Sequence, residues 1–352
     1  MDKSNPVVSV VTAAYNVLPR DLHRSIRSIL SQTYKDFELI IVDDASTDDT
    51  LKFVEAYAEK DDRVVVIRNK KNLGAGSSRN VGVGQARGEY IAIMDSDDFA
   101  HPRRLYEQIS FLHNNPSVGL LGTAYQTISE SGRKIQTVPR FETDTLIRWE
   151  MLLNSPFIHS SVMYKRELFL QMGGYSEKFP VSHDYDLFLR LSEITKMACL
   201  NRVLTYFQIN SKGLSKTRKE IQFDLATHIS HRAITQLMGE GYMDFDETKA
   251  LREYLNYGKE FDNKDELMDK YLGLSATFSN KFGISRLQKR QIHYHIYSRL
   301  LWNWWNSTGK YKLSGLKDLY QIWRNAPIPL TYRLIRFKGG EVKRKLMDKL
   351  GR

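Results

Sequence analysis

The run Tyr90-Ile91-Ala92-Ile93-Met94-Asp95-Ser96-Asp97-Asp98 does most to restrict what this chain can become. It reads as a buried strand that stops at three carboxylates within four residues. In an open α/β sheet the carboxyl ends of strands are where ligands bind. Carboxylates held this close repel one another unless a cation or a strong donor set neutralises them. A hard divalent ion, Mg2+ or Mn2+, carrying a diphosphate is the natural partner. A solvated acidic turn ahead of a helix starting near Pro102 uses the same residues, so the motif alone leaves both readings open.

The preceding sequence alternates strands and helices. Apolar runs predict strands over residues 7–13, 37–42, 64–67 and 90–94, with helical spacing over 22–30, 47–57 and 76–86 between them. This alternation argues for right-handed βαβ units and a parallel sheet, with the loops after the strands gathered on one edge. A helix over 102–114 and strands within 118–138, turning at Glu130-Ser131-Gly132, come next. Helices over 144–153 and 184–194 flank a strand at 161–164, and 197–208 closes this part as a strand or hairpin. Beyond about residue 216 the pattern is helical, over 223–238, 247–257 and 287–305, with Pro327 and Pro329 interrupting the tail.

Cys199 is the only cysteine, so no intrachain disulfide framework exists and a reducing compartment is expected. No run of about 18 apolar residues suggests a membrane span. The net charge of +11 is uneven. Residues 281–352 hold 17 Lys/Arg against Asp318, Glu341 and Asp348, a net +14, while the remainder has 35 basic and 38 acidic residues. Trp302, Trp304, Trp305 and Trp323 fall in the same segment. A basic surface with interfacial aromatics suits an anionic membrane face, and an ordinary solvated helical tail is the plainer alternative. The expected location is cytoplasmic, peripheral at the inner face of the cell membrane. Nucleic acid would explain the basic tail but not the acidic edge.

Three further polar clusters follow the earlier strands. They are Ala14-Tyr15-Asn16, Asp43-Asp44-Ala45-Ser46, and Asn72 to Arg79 with Gly74 and Gly76. Tyr15 offers a ring to stack on a base, and Asp44 an acceptor for its N–H groups. The third cluster places flexible backbone and a guanidinium near a helix N-terminus, which suits phosphate. Singly, the aspartates read as caps and the glycines as turns; four clusters on one edge are harder to ascribe to chance.

These residues resemble family 2 glycosyltransferases, inverting enzymes of the GT-A fold. The similarity runs through Val8-Ser9-Val10-Val11-Thr12-Ala13-Ala14-Tyr15-Asn16, Ser28-Ile29-Leu30-Ser31-Gln32-Thr33-Tyr34 and Glu38 to Ser46. It continues through Asn72-Leu73-Gly74, Ser78-Arg79-Asn80 and Ala86-Arg87-Gly88-Glu89-Tyr90 into the aspartate motif, and covers roughly the first 210 residues. The resemblance implies an α/β GT-A nucleotide-diphospho-sugar transferase fold, a Rossmann-like mixed sheet flanked by helices, with a C-terminal α-helical extension. The catalytic domain would span residues 1–215, with a nucleotide-binding half to about 100 and an acceptor half from about 101. The extension would occupy 216–352.

The resemblance also implies roles. Asp44, with Tyr15 beside it, would recognise the base, and Asp95 and Asp97 would be the outer members of a DXD motif. Ala13, Arg79, Ser96 and His159 join the donor contacts. Asp97 or Asp98 would bind Mn2+ or Mg2+, the resemblance not distinguishing which bonds it directly. In His183-Asp184-Tyr185-Asp186, Asp184 takes the catalytic-base position, although a lone Asp there also reads as a helix cap. Many relatives carry Glu where this chain has His183. Gly173-Gly174-Tyr175 would shape the acceptor side. The implied activity is metal-dependent inverting transfer from a nucleotide sugar, expected to be a UDP-sugar, to a glycan or lipid-linked saccharide in surface-polysaccharide assembly. A polyprenyl-phosphate glycosyltransferase and a non-catalytic sugar-binding relative are the alternatives. A Rossmann dehydrogenase is disfavoured because Ala14-Tyr15-Asn16 stands where its glycine fingerprint belongs.

Overall fold

The computed structural model describes residues 5–138, 140–210, 218–259 and 263–307. Strands β1 (Val8–Ala14), β2 (Phe37–Asp43), β3 (Val64–Arg68) and β4 (Tyr90–Ile93) alternate with helices α1 (Pro19–Leu30), α2 (Thr50–Ala58) and α3 (Ala75–Gln85). Every residue of β2 and β4 is buried, as expected of strands covered on both faces by crossover helices. They pair in parallel in the order β3-β2-β1-β4, with Ala14 beside Asp43 and Asp43 beside Arg68. The carboxyl ends therefore form one rim, as the alternation predicts.

The second half departs from an all-parallel sheet. After the acidic triplet come β5 (Phe99–Ala100), α4 (Arg104–Asn114), β6 (Val118–Ile128), β7 (Lys134–Val138) and α5 (Asp144–Glu150). A single 3-10 turn, His159–Ser161, then leads into β8 (Met163–Lys165), followed by α6 (Arg166–Gln171), α7 (His183–Leu191) and β9 (Lys196–Gln208). The chain enters β8 beside the carboxyl end of β4, where Ile93 N–H donates to Val162 O at 3.1 Å. β8 runs antiparallel to β4 and to β6. Strand β9 lies parallel to β6 and β5 antiparallel to β9, completing the order β3-β2-β1-β4-β8-β6-β9-β5 with β7 on β6.

Two signature segments explain themselves as packing. Glu38 is buried and accepts Ser9 Oγ at 2.7 Å, Arg87 N–H at 2.9 Å and the Arg87 guanidinium at 2.7 and 3.0 Å. Gly88 is obligatory here, because a Cβ would sit 2.5 Å from Ser9 N. Gln32, fully buried, accepts Leu105 N–H at 3.0 Å and donates to His101 O at 2.8 Å, fixing the start of α4 against the end of α1.

Helices α8 (Lys219–Met238), α9 (Phe245–Tyr257), α10 (Lys264–Lys281) and α11 (Arg286–Ser307) follow. The chain divides into two compact units, residues 1–252 with 266–283, and 253–265 with 284–352. The expected boundary at 215/216 falls inside the first unit. Helix α10, which the periodicity reading did not place, buries Leu267, Tyr271, Leu274 and Phe278 on one stripe. Trp149 of α5 packs there with ring centroids 6.0 Å from Tyr271 and 5.5 Å from Phe278. In the second unit α11 opens on a reciprocal cap: Gln288 N–H donates to Ser285 Oγ at 3.2 Å, and Ser285 N–H to Gln288 Oε1 at 2.9 Å. The expectation for Trp323 and the rest of 308–352 lies outside the described residues. No helix among the described residues is long and apolar enough to cross a membrane.

Candidate active site

The site grows from the rim formed by β1, β2 and β4. Tyr15, 47% exposed, stands beyond β1 beside Asn16, whose side chain accepts Thr47 N–H at 2.8 Å and so ties the first rim loop to the second. Asn16 and Ala45 both adopt left-handed backbone, at φ 49 and 60. Ala13 is half-buried at the end of β1, in register with Val42. Asp44 is buried and already engaged. Its Oδ1 accepts Asn69 Nδ2 and Leu73 N–H, and its Oδ2 accepts Gly74 N–H, all at 2.8 Å. It therefore fastens the loop leading into α3, with acceptor capacity left on Oδ2.

Arg79 projects from α3 and is almost fully buried. Its Nη2 donates to Asp95 Oδ1 at 2.5 Å, and its Nη1 lies 3.1 Å from His183 Nε2. Burial works against the guanidinium's charge, but Asp95, with Tyr175 and Asp184, outweighs it and holds the group protonated.

The three acids of the β4 motif have different fates. Asp95 pairs with Arg79. Asp98 is buried and turned inward, accepting Gln208 N–H at 2.8 Å and the Ser160 hydroxyl. The same Ser160 Oγ receives Asp95 N–H at 3.3 Å, so this inward acid anchors the motif to β9 and to the 3-10 turn. Each Asp98 oxygen thus takes one protein donor and, like Asp44 Oδ2, keeps a further lone pair. Asp97, half-buried with Ser96, has a long contact of 3.5 Å from Asn210 Nδ2. Burial, then the neighbouring Asp95, pushes its carboxyl up to about 6. An acid so destabilised in its ionised form, with oxygen lone pairs to spare, is suited to a hard cation. Among the described residues no three His, Cys, Asp or Glu side chains converge to hold a metal unaided. The donor set fits an ion that takes one or two carboxylates from the protein, Asp97 and Asp98, and the rest from phosphates and water.

The opposite wall comes from α7. Ser182, in left-handed backbone at φ 60, redirects the chain so that the helix begins at His183 with Asp184 in its first turn. Asp184 is half-buried, and burial foremost pushes its carboxyl up to about 6, with Asp95 adding to the rise and Arg79 opposing it. It thus shares an electrostatic environment with the Arg79–Asp95 pair. His159 places Nε2 2.7 Å from the Tyr175 hydroxyl, and burial followed by Arg79 holds its imidazole neutral, well below the usual histidine range. Tyr175 is locked by a reciprocal pair with Asn80, at 2.8 and 2.9 Å. Arg190 donates to Met172 O at 2.6 Å and Gly174 O at 2.7 Å while pairing with buried Asp186, which also receives Arg232 of α8 at 2.6 Å.

The rim thus brings Arg79, Asp95, Asp97, His159 and Asp184 into one neighbourhood. Ser160, Asn69 and Arg104 went unnoticed in the sequence. Arg104 is wholly buried, donates to Ile93 O at 3.0 Å and Val162 O at 3.1 Å, and is brought down to about 9 by burial. Its place in His101-Pro102-Arg103-Arg104 reads as solvated helix start, and no local signal distinguishes it.

The model of the family described as Glycosyl transferase family 2 matches residues 9–173. An uncharacterized glycosyltransferase of Methanocaldococcus jannaschii is 35% identical over 236 residues, 66% of this chain and 80% of that one. The structure of S. aureus TarS residues 1–349 in complex with UDP-GlcNAc is similar with a TM-score of 0.56 at 20% identity, over 81% of this chain and 82% of that one. The mannosyltransferase PcManGT from Pyrobaculum calidifontis, in complex with GDP-Man and Mn2+, gives a TM-score of 0.52 at 15% identity, over 93% of this chain and 82% of that one. At these identities the structures show a shared fold.

Proposed function

The chain belongs to glycosyl transferase family 2, and from that premise we propose an inverting, metal-assisted transfer from a UDP-sugar to a glycan or lipid-linked saccharide. The observation that carries the proposal is Asp184, pushed up to about 6, on the wall opposite the rim and within the field of the Arg79–Asp95 pair. A carboxyl poised near working pH is what a general base requires. Asp184 accepts the proton of the acceptor hydroxyl as that oxygen attacks the anomeric carbon. The bond from that carbon to the diphosphate breaks on the far face, so configuration inverts. General-base assistance is worth roughly 10²- to 10⁴-fold, and alignment of two substrates contributes a further large factor.

Tyr15 and Asp44 face the base, and Ala13 and Ser96 border the donor. Arg79 offers positive charge to the diphosphate, while His159 and Tyr175 form the wall between donor and acceptor. Mn2+ or Mg2+ would be held by Asp97 or Asp98, and when bound would offset the charge that develops on the departing nucleotide. The UDP-GlcNAc held by TarS supports a UDP donor, and the GDP-Man of the mannosyltransferase is the competing choice. The +14 of residues 281–352 supports attachment to an anionic membrane face, which suits a lipid-linked acceptor in surface-polysaccharide assembly. The testing experiment is calorimetric titration with UDP and GDP, each with Mn2+ and with EDTA. Metal-dependent binding of UDP is expected; a folded chain binding neither nucleotide overturns the proposal.

A further inference from the structure

Helix α1 buries Leu22, Ile26 and Ile29, yet Ser25 and Gln32 are buried beside them and Ser28 is half-buried. Residues 25, 28 and 32 share one helix face, and their polar atoms are spent on one segment, the stretch between β4 and α4. Ser25 Oγ donates to Asp95 O at 3.1 Å, and Ser28 Oγ accepts Ala100 N–H at 3.0 Å. Gln32 takes His101 O and Leu105 N–H, and Arg24 Nη2 adds a long contact of 3.4 Å to Asp97 O. Backbone that leaves a sheet loses its ladder partners, and other groups must supply them. Here α1 does so from the acidic motif to the start of α4.

Asp95 is held from three sides. Its N–H goes to Ser160 Oγ at 3.3 Å on the 3-10 turn, its carboxylate to Arg79 on α3, and its carbonyl to Ser25 on α1. The same carbonyl accepts Asp98 N–H at 3.2 Å and so closes the turn that carries Ser96 and Asp97. Ser25 thus fixes the peptide plane from which that turn springs, while itself sealed from solvent.

We propose, resting on the donor-site reading above, that Ser25 is a positioning residue for the divalent ion. Through the Asp95 carbonyl it sets where the turn presents Asp97 and Asp98 to an ion carried by the nucleotide. It touches neither nucleotide nor ion, so its effect falls on the metal-dependent part of binding alone.

Full-length wild type, S25A and S28A are titrated calorimetrically with UDP and GDP, each in Mn2+ and in EDTA, and denatured in urea. For whichever nucleotide wild type binds, the gain in affinity from Mn2+ should shrink about fivefold or more in S25A, with affinity in EDTA unchanged. S28A removes a hydroxyl from the same helix face but beyond the motif. It should lose stability in urea as S25A does, yet keep the wild-type gain. A wild-type gain in S25A, or the same loss of gain in S28A, reduces Ser25 to packing and overturns the inference while leaving the donor site intact. Wild type binding a nucleotide equally with and without Mn2+ overturns the inference and the ion's part in the site. Wild type binding neither nucleotide sinks the donor-site reading and this inference with it. If S25A does not fold, S25C, which replaces the hydroxyl by a weak donor, decides by the same gain.

Discussion

Replacing Asp184 by asparagine should move activity and stability in opposite directions. The folded carboxyl sits at about 6 against a reference of 3.8, with burial as the first cause. Two units at 1.36 kcal/mol each make the ionised form about 3 kcal/mol less favourable in the folded chain. The sign follows from proton counting. Between pH 3.8 and 6 the folded state holds the proton that the unfolded state has released, so stability falls with rising pH across that window. Above it the penalty is constant. A carboxamide carries no such charge, so the D184N variant should match wild type in melting temperature near pH 4. At pH 7.5 it should exceed wild type by several degrees, up to that ~3 kcal/mol. Turnover should fall by roughly 10²- to 10⁴-fold with donor affinity retained. In wild type, kcat/KM should drop about tenfold per pH unit below 6 as the base takes up its proton. Scanning fluorimetry over pH and a nucleotide-release assay read both effects. Wild-type turnover in D184N removes the base role, and identical melting curves at pH 7.5 refute the burial argument.

Other perturbations separate the remaining groups. Asp97→Asn should abolish the difference between Mn2+ and EDTA in nucleotide titrations, and a persisting metal effect would assign the ion to other oxygens. Asp98→Ala should act on folding, costing roughly 2–4 kcal/mol in urea denaturation, because Gln208 N–H and the Ser160 hydroxyl lose their buried acceptor. A neutral effect there contradicts its anchoring role. Deleting residues 281–352 should abolish co-sedimentation with anionic vesicles, and undiminished sedimentation of the shortened chain excludes the tail as membrane contact.

The parallel half of the sheet was legible because its strands are apolar on both faces and punctuated by polar rim loops. Strand β5 was not, since two residues carry no period, and its pairing with β9 is set by contacts over 100 residues apart. Helix α10 did carry a signal: Leu267, Tyr271, Leu274 and Phe278 recur at helical spacing. Among the acids, sequence placed Asp95, Asp97 and Asp98 together but could not tell which turned inward, because Ser160 and Gln208 reach Asp98 from distant segments. The inward commitment of Asp44 and the burial of Arg104 likewise depend on partners brought in by tertiary structure.

The doubly bonded Asp186 bears on how far the catalytic portion can be transplanted. Its two oxygens are shared between Arg190, on the helix of the proposed base, and Arg232, beyond the stretch where family signatures end. A chain cut at residue 215 would keep every signature residue yet strip one cation from an interior anion and uncover Leu152 O, the acceptor of Ser230. The smallest portable transferase from this sequence is therefore longer than its motifs, and chimaeras that swap acceptor-side loops need α8 to travel with α7.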